Sequence, residues 1–149
     1  MGTRRKAREF ALQVLYQIDL TGVEVDAALE LFCNHFEAGK KSMPYARRLV
    51  QGSADKRQEI DAMISSHAEN WRPERMSVID RNILRLALYE MCFEEEVPAR
   101  VVINEAIEVA KRFGNDDSGP FINGILDSIR KTIGAGQVLP SEKEGSNPE

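Results

Sequence analysis

Ser77-Val78-Ile79-Asp80-Arg81-Asn82-Ile83-Leu84-Arg85-Leu86-Ala87-Leu88-Tyr89-Glu90-Met91-Cys92-Phe93 is the stretch on which the reading of the fold turns. At roughly 100° per residue, Ile79, Ile83, Leu84, Leu86, Ala87, Leu88 and Met91 spread around most of a helical circumference. A helix apolar on nearly every side has no face left for water, so it belongs at the centre of a bundle. Ser77 with Asp80 resembles a capping box opening that helix, which runs to about Phe93.

Downstream, Glu94 to Val97 reads as an acidic loop, and Pro98 marks the start of a helix from Ala99 to Phe113. Ile103, Ala106, Ile107, Ala110 and Phe113 form its core stripe, and Gly114 suits the position after its end. Asn115 to Gly119 is a polar connection before a last helix, Pro120 to Ile133, packed by Ile122, Ile125, Leu126 and Ile129. Upstream, a helix capped by Ser42 repeats at three and four through to about Asn70, and Gly52-Ser53 kinks or splits it. Trp71-Arg72-Pro73 ends it. A shorter helix spans Asp26 to His35, and Glu37 to Ser42 reads as a loop. The first helix covers residues 3 to 20, with Thr3 as its cap, Thr21-Gly22 as its stop, and Ala7, Phe10, Ala11, Val14, Leu15 and Ile18 on its buried side. No segment alternates with period two. The expectation is an all-α fold of six or seven helices in one domain, residues 1–133. Periodicity is lost after Gly134, so residues 134–149 read as a disordered tail.

Composition narrows the class. With 149 residues, 42% hydrophobic and 30% charged, the chain has the balance of a globular protein and enough length for a real core. No run approaches the roughly 20 apolar residues of a membrane span. The net charge of −4 argues against a broadly basic nucleic-acid coat, so any such site must be local. Cys33 and Cys92 show no CxxC spacing and read as reduced thiols of a cytosolic protein. His35 and His67 lack metal-ligand spacing, and neither a metal nor a cofactor is expected.

Two places could carry binding chemistry. Arg4, Arg5, Lys6 and Arg8 are the one dense cationic cluster, with no acidic residue among the first eight. On the helix wheel Arg5, Leu12 and Tyr16 fall together opposite the core stripe, with Arg8 at the edge. That pattern is either a binding face, arginine for phosphate and tyrosine for stacking or a partner, or a solvated basic helix end packed through Leu12 and Tyr16. The second place is Asn115 to Phe121. Its aspartates and serine suit a helix N-terminus, their spacing does not match a calcium loop, and Phe121 can face either the core or the surface. No GxSxG, HExxH, P-loop or dinucleotide turn is present, and no carboxylates pair in an apolar pocket. Glu105 and Glu108 face solvent or tie helices together. Nothing points to an enzyme.

Four ordered segments add a resemblance. Arg4-Arg5-Lys6-Ala7-Arg8-Glu9-Phe10-Ala11-Leu12-Gln13-Val14-Leu15-Tyr16, the Asp80 to Glu90 run, Val97-Pro98 with Ile103 to Gly114, and Phe121-Ile122-Asn123-Gly124-Ile125-Leu126-Asp127 resemble the corresponding helices of the NusB family. The resemblance covers about residues 4 to 132. It implies two small packed helical bundles and a non-enzymatic role in transcription antitermination. It further implies binding of boxA-type RNA from ribosomal RNA leaders with NusE, a small-subunit ribosomal protein, in support of read-through by RNA polymerase. Carried onto this chain, Arg4, Arg5, Lys6, Arg8, Asp117 and Phe121 would lie on the RNA side, and Tyr16, Asp80 and Arg81 at the partner surface. Gly119-Pro120 departs from the more polar pair expected there. Two other readings stand beside it: the RNA-binding accessory domain of an RNA cytosine methyltransferase, which would require a fragment, and a helical adaptor without RNA affinity. Both a monomer and a homodimer are compatible with the sequence.

Overall fold

The computed structural model describes residues 2–35, 41–68, 76–94 and 96–134. Among these lie seven helices: α1 (Gly2–Thr21), α2 (Val25–His35), α3 (Met43–Asp55), α4 (Arg57–His67), α5 (Val78–Phe93), α6 (Ala99–Phe113) and α7 (Ser118–Gly134). The expected tail after Gly134, the loop around Gly39 and the Trp71-Arg72-Pro73 stop lie outside the described residues.

α5 is the hub, as its pattern requires. It packs against α1, α3, α4, α6 and α7, and Ile83, Leu84, Leu86, Ala87 and Leu88 are all buried. Each fully buried leucine contributes about 1.5–3 kcal/mol relative to an exposed one. On one side α1 packs against α2 and α3. On the other α6 lies against α7, the most extensive pairing in the molecule. Ser77 caps α5 by accepting the Asp80 amide at 3.0 Å, but the box does not close. The Asp80 carboxylate turns instead to α7.

α1 begins at Gly2, so Thr3 lies within the helix and does not cap it. Its far end is as expected: Gly22 takes φ 73°, the left-handed conformation that glycine adopts without a Cβ penalty, and its amide reaches the Ile18 carbonyl at 2.8 Å. The helix wheel puts Leu12 opposite the core, yet it is 1% exposed. A helix wedged among α2, α3, α5 and α6 is covered on more than the one face that a single stripe describes.

The element that follows Ser42, expected to be kinked or split at Gly52-Ser53, is two helices. Ser42 precedes α3 in helical conformation and makes no side-chain cap. The break falls at Lys56, φ −103° and ψ 17°, four residues after Gly52. Gly52 stays helical for a packing reason: a Cβ there would overlap the Tyr89 ring of α5. Gly114 has a similar role. It ends α6 at φ −96°, not in the left-handed region, and a Cβ on it would collide with the Ser118 side chain.

Candidate nucleic-acid interface

The basic end of α1 is less unopposed than its sequence suggests. Arg5 grips Glu105 of α6 through two bonds of 2.9 and 2.8 Å, and Arg4 reaches Glu96 at 2.8 Å while lying over the Tyr45 ring at 4.8 Å. Both arginines remain substantially exposed, at 42% and 45% of their side chains. Exposed ion pairs contribute little in water, and Arg4–Glu96 is exposed on both sides, whereas Glu105 is 19% exposed and lies 3.6 Å from Arg8 as well. The Arg5 hydrogen bond, and then its charge, hold the Glu105 carboxyl below its ordinary range. Lys6 is exposed.

Arg8 is a correction. It is 7% exposed and sits one turn before the buried Leu12, with its guanidinium clamped onto Glu90 of α5 by bonds of 2.8 and 2.6 Å. Tyr45 of α3 donates its hydroxyl to the same carboxylate at 2.5 Å. Burial works against the charge on Arg8, but the Glu90 bonds outweigh it and the guanidinium pKa rises. Burial and then the Glu90 bond push the Tyr45 phenol well above its ordinary value, so it stays a neutral donor. The arginine therefore joins α1 to α5 and has no edge left for RNA.

Two rungs align α1 with α6. Arg5 meets Glu105, and further along both helices Glu9 meets Arg112 at 3.1 Å. The order makes the helices parallel, so the seam between them starts at the basic end and leads to the turn after α6. From Glu105 to Phe113 that seam is roughly 12 Å long.

The turn is rigidly built. Asn115 accepts the Asp117 amide on its side chain at 2.8 Å, while the Ser118 hydroxyl accepts the Asn115 amide at 3.1 Å and donates to Asp80 at 2.7 Å. Ser118 is 1% exposed. The helix starts there, earlier than the Pro120 expected from sequence, and Pro120 falls in its first turn, where no intrahelical amide is needed. Asp117 is exposed, and Phe121 is half-buried with one side packed against the core. A groove of about 480 Å³ lined by Lys111, Asn115, Pro120 and Asn123 opens beside the turn.

On the expected partner side, Tyr16 is 37% exposed and Leu20, one turn on, 56%. Arg81 turns inward: it binds Asp19 of α1 with two bonds of 2.8 and 2.9 Å. Asn82 also donates to Asp19 at 2.9 Å, and Arg85 ties Asp61 of α4 at 2.9 and 3.0 Å. Burial would raise the Asp19 pKa, but the Arg81 and Asn82 bonds overcome it and lower it. Sequence reading missed this network and the Arg8–Glu90–Tyr45 cluster. The signal was present in α5, where Arg85 and Glu90 interrupt the apolar run from Ile83 to Met91 and so required partners.

Among the described residues no group of three or more His, Cys, Asp or Glu side chains could hold a metal ion, and no helix is long and apolar enough to cross a membrane. The polar side chains of this helical domain tie helices together or line an open basic-to-acidic surface, which is the arrangement of a binding module. Comparison with known proteins gives the particular family. The NusB family model matches residues 5–131. The chain is 48% identical to the transcription antitermination protein NusB of Desulfatibacillum aliphaticivorans, over 90% of this chain and 94% of that one. With the Desulfosudis oleivorans protein of the same name it shares 40% identity, over 99% and 98%. The T. maritima NusB structure superposes at a TM-score of 0.78 with 40% identity, covering 94% of this chain and 95% of that one. A structure of antitermination factors NusB and NusE in complex with dsRNA superposes at 0.79 with 28% identity, covering 89% and 98%. The chain belongs to the NusB family of transcription antitermination proteins, a non-enzymatic family.

Proposed function

We propose that this chain acts in the cytoplasm by binding boxA-type single-stranded RNA of nascent ribosomal RNA transcripts together with NusE, and so supports read-through by the RNA polymerase antitermination complex. The observation that carries the reading is the α1–α6 seam, with Arg4, Arg5 and Lys6 at one end and the Asp117–Phe121 turn at the other. The cations hold phosphates. The Asp117 carboxylate can accept from base amino groups, and the exposed side of Phe121 can stack on an unpaired base. With Arg8 buried, few phosphate contacts remain, so affinity of the chain alone is modest and a partner that extends the surface raises it. The exposed Tyr16–Leu20 strip is the partner surface. Arg81 acts behind it by holding Asp19. The same strip is where a second copy would dock in a homodimer, which sedimentation of the free chain tests.

Titrating boxA-type RNA, its scrambled counterpart and a duplex, each with and without NusE, tests the reading. The expected result is weak, salt-sensitive binding alone and tighter, boxA-selective binding with NusE. Phe121→Ala should weaken boxA binding by about 1–3 kcal/mol while lowering stability less. Equal affinity for all three RNAs in the presence of NusE, or no complex with NusE, would overturn it.

A further inference from the structure

The Asp80 carboxylate and the Ser118 hydroxyl are 38 positions apart in sequence and 2.7 Å apart in space. Ser118 is the hub of the turn. Its oxygen accepts the Asn115 amide and is 1% exposed, and Gly114 leaves it the room it occupies. The residue before it is Asp117 and the helix it opens carries Phe121, whose amide bonds the Asp117 carbonyl at 3.2 Å. The Ser118 hydroxyl and the Asp80 carboxylate thus tie the turn to α5.

We propose that Asp80 is a positioning residue for the RNA-binding turn: by accepting the Ser118 hydroxyl it fixes the end of α7 that presents Asp117 and Phe121. The role rests on the RNA-binding reading above. Asp80 itself lies in the first turn of α5, so the central helix is what holds the turn in place.

Electrostatics and positioning predict opposite signs, which makes the role testable. A carboxylate repels phosphate, so by charge alone Asp80→Ala should tighten RNA binding. As a positioning residue its loss weakens it. Asp80→Ala, Ser118→Ala, the double variant and Asp80→Asn are titrated, as full chains without any partner, with a short single-stranded boxA-type RNA over a range of salt. Asp80→Ala and Ser118→Ala should each weaken binding roughly 3- to 10-fold, the net worth of one hydrogen bond. The salt slope should not change, because the cations that meet phosphate are untouched. The double variant should be no weaker than the weaker single, and Asp80→Asn, which keeps an oxygen for the hydroxyl, should recover most of the affinity. Thermal melts accompany each titration. If Asp80→Ala melts below the working temperature, Ser118→Ala and Asp80→Asn decide the matter. Folded variants that bind as tightly as the parent, or tighter, overturn the positioning role while leaving the RNA reading intact. A parent chain that binds no RNA alone overturns the positioning role, and one that binds none with NusE either overturns the RNA reading as well.

Discussion

Arg5 and Arg8 stand three residues apart on one helix and have opposite fates. Arg5 makes its ion pair at the surface, with its side chain 45% exposed, whereas Arg8 and Glu90 are 9% and 2% exposed at theirs. Removing one member of a buried pair strands the other charge, at a cost of about 3–5 kcal/mol. Arg8→Ala should therefore lower unfolding stability by that order in a denaturant titration. In contrast, Arg5→Ala and Lys6→Ala should leave the melt almost unchanged and reduce the dependence of RNA affinity on salt, by about 0.7 in slope for each phosphate no longer neutralised. A stable Arg8→Ala variant with a flattened salt slope would return that arginine to the RNA side.

Between elements, the close contacts are set by glycines whose value is the absence of a side chain. Gly52 lets α3 approach the Tyr89 ring, and Tyr89 in turn stacks on Phe93 at 5.7 Å and donates to Glu94 at 3.0 Å. Gly52→Ala forces that ring away and should cost about 1–3 kcal/mol, as overpacking does. The penalty should shrink in a Tyr89→Ala background, because the ring it collides with is gone. Equal penalties in both backgrounds, measured by denaturation, would mean that Gly52 acts through something other than this contact. Helix α4 is tied to α7 differently, through His67 Nδ1 and the Ser128 hydroxyl at 2.8 Å.

At the scale of the whole molecule, carboxylates join helices that are far apart in sequence. Asp19 joins α1 to Arg81, Asn82 and Arg85 of α5, and Glu105 joins α6 to α1. Both folded pKa values lie below their ordinary values of 3.8 and 4.5. The unfolded chain thus binds protons first as pH falls, and folding stability drops with it. The contribution of these carboxyls is fully present above about pH 4.5 and is lost as pH falls through the depressed folded values. Asp19→Asn should be less stable at pH 7, with a shallower loss of stability on acidification. If parent and variant lose stability in parallel below pH 4.5, the Asp19 network is not the acid-sensitive element.

The helical class, the hub role of α5, the bounds of α6 and the stop at Gly22 were legible from residue order alone, since each rests on local rules: apolar periodicity, and backbone freedom at glycine. The family was legible from four ordered segments. Which cations meet solvent was not. Periodicity assigns one buried face per helix, but α1 is covered by several neighbours, so Leu12 and Arg8 vanish into contacts that exist only after α3, α5 and α6 have assembled around them. The tie between Asp80 and Ser118 belongs to the same category. Thirty-eight positions separate the two side chains, and only the packing of α7 against the start of α5 brings a carboxylate within reach of a hydroxyl. Local sequence encodes each helix and its ends. The pairing of charges between helices depends on rotation and register, which are chosen by the packing of the whole core.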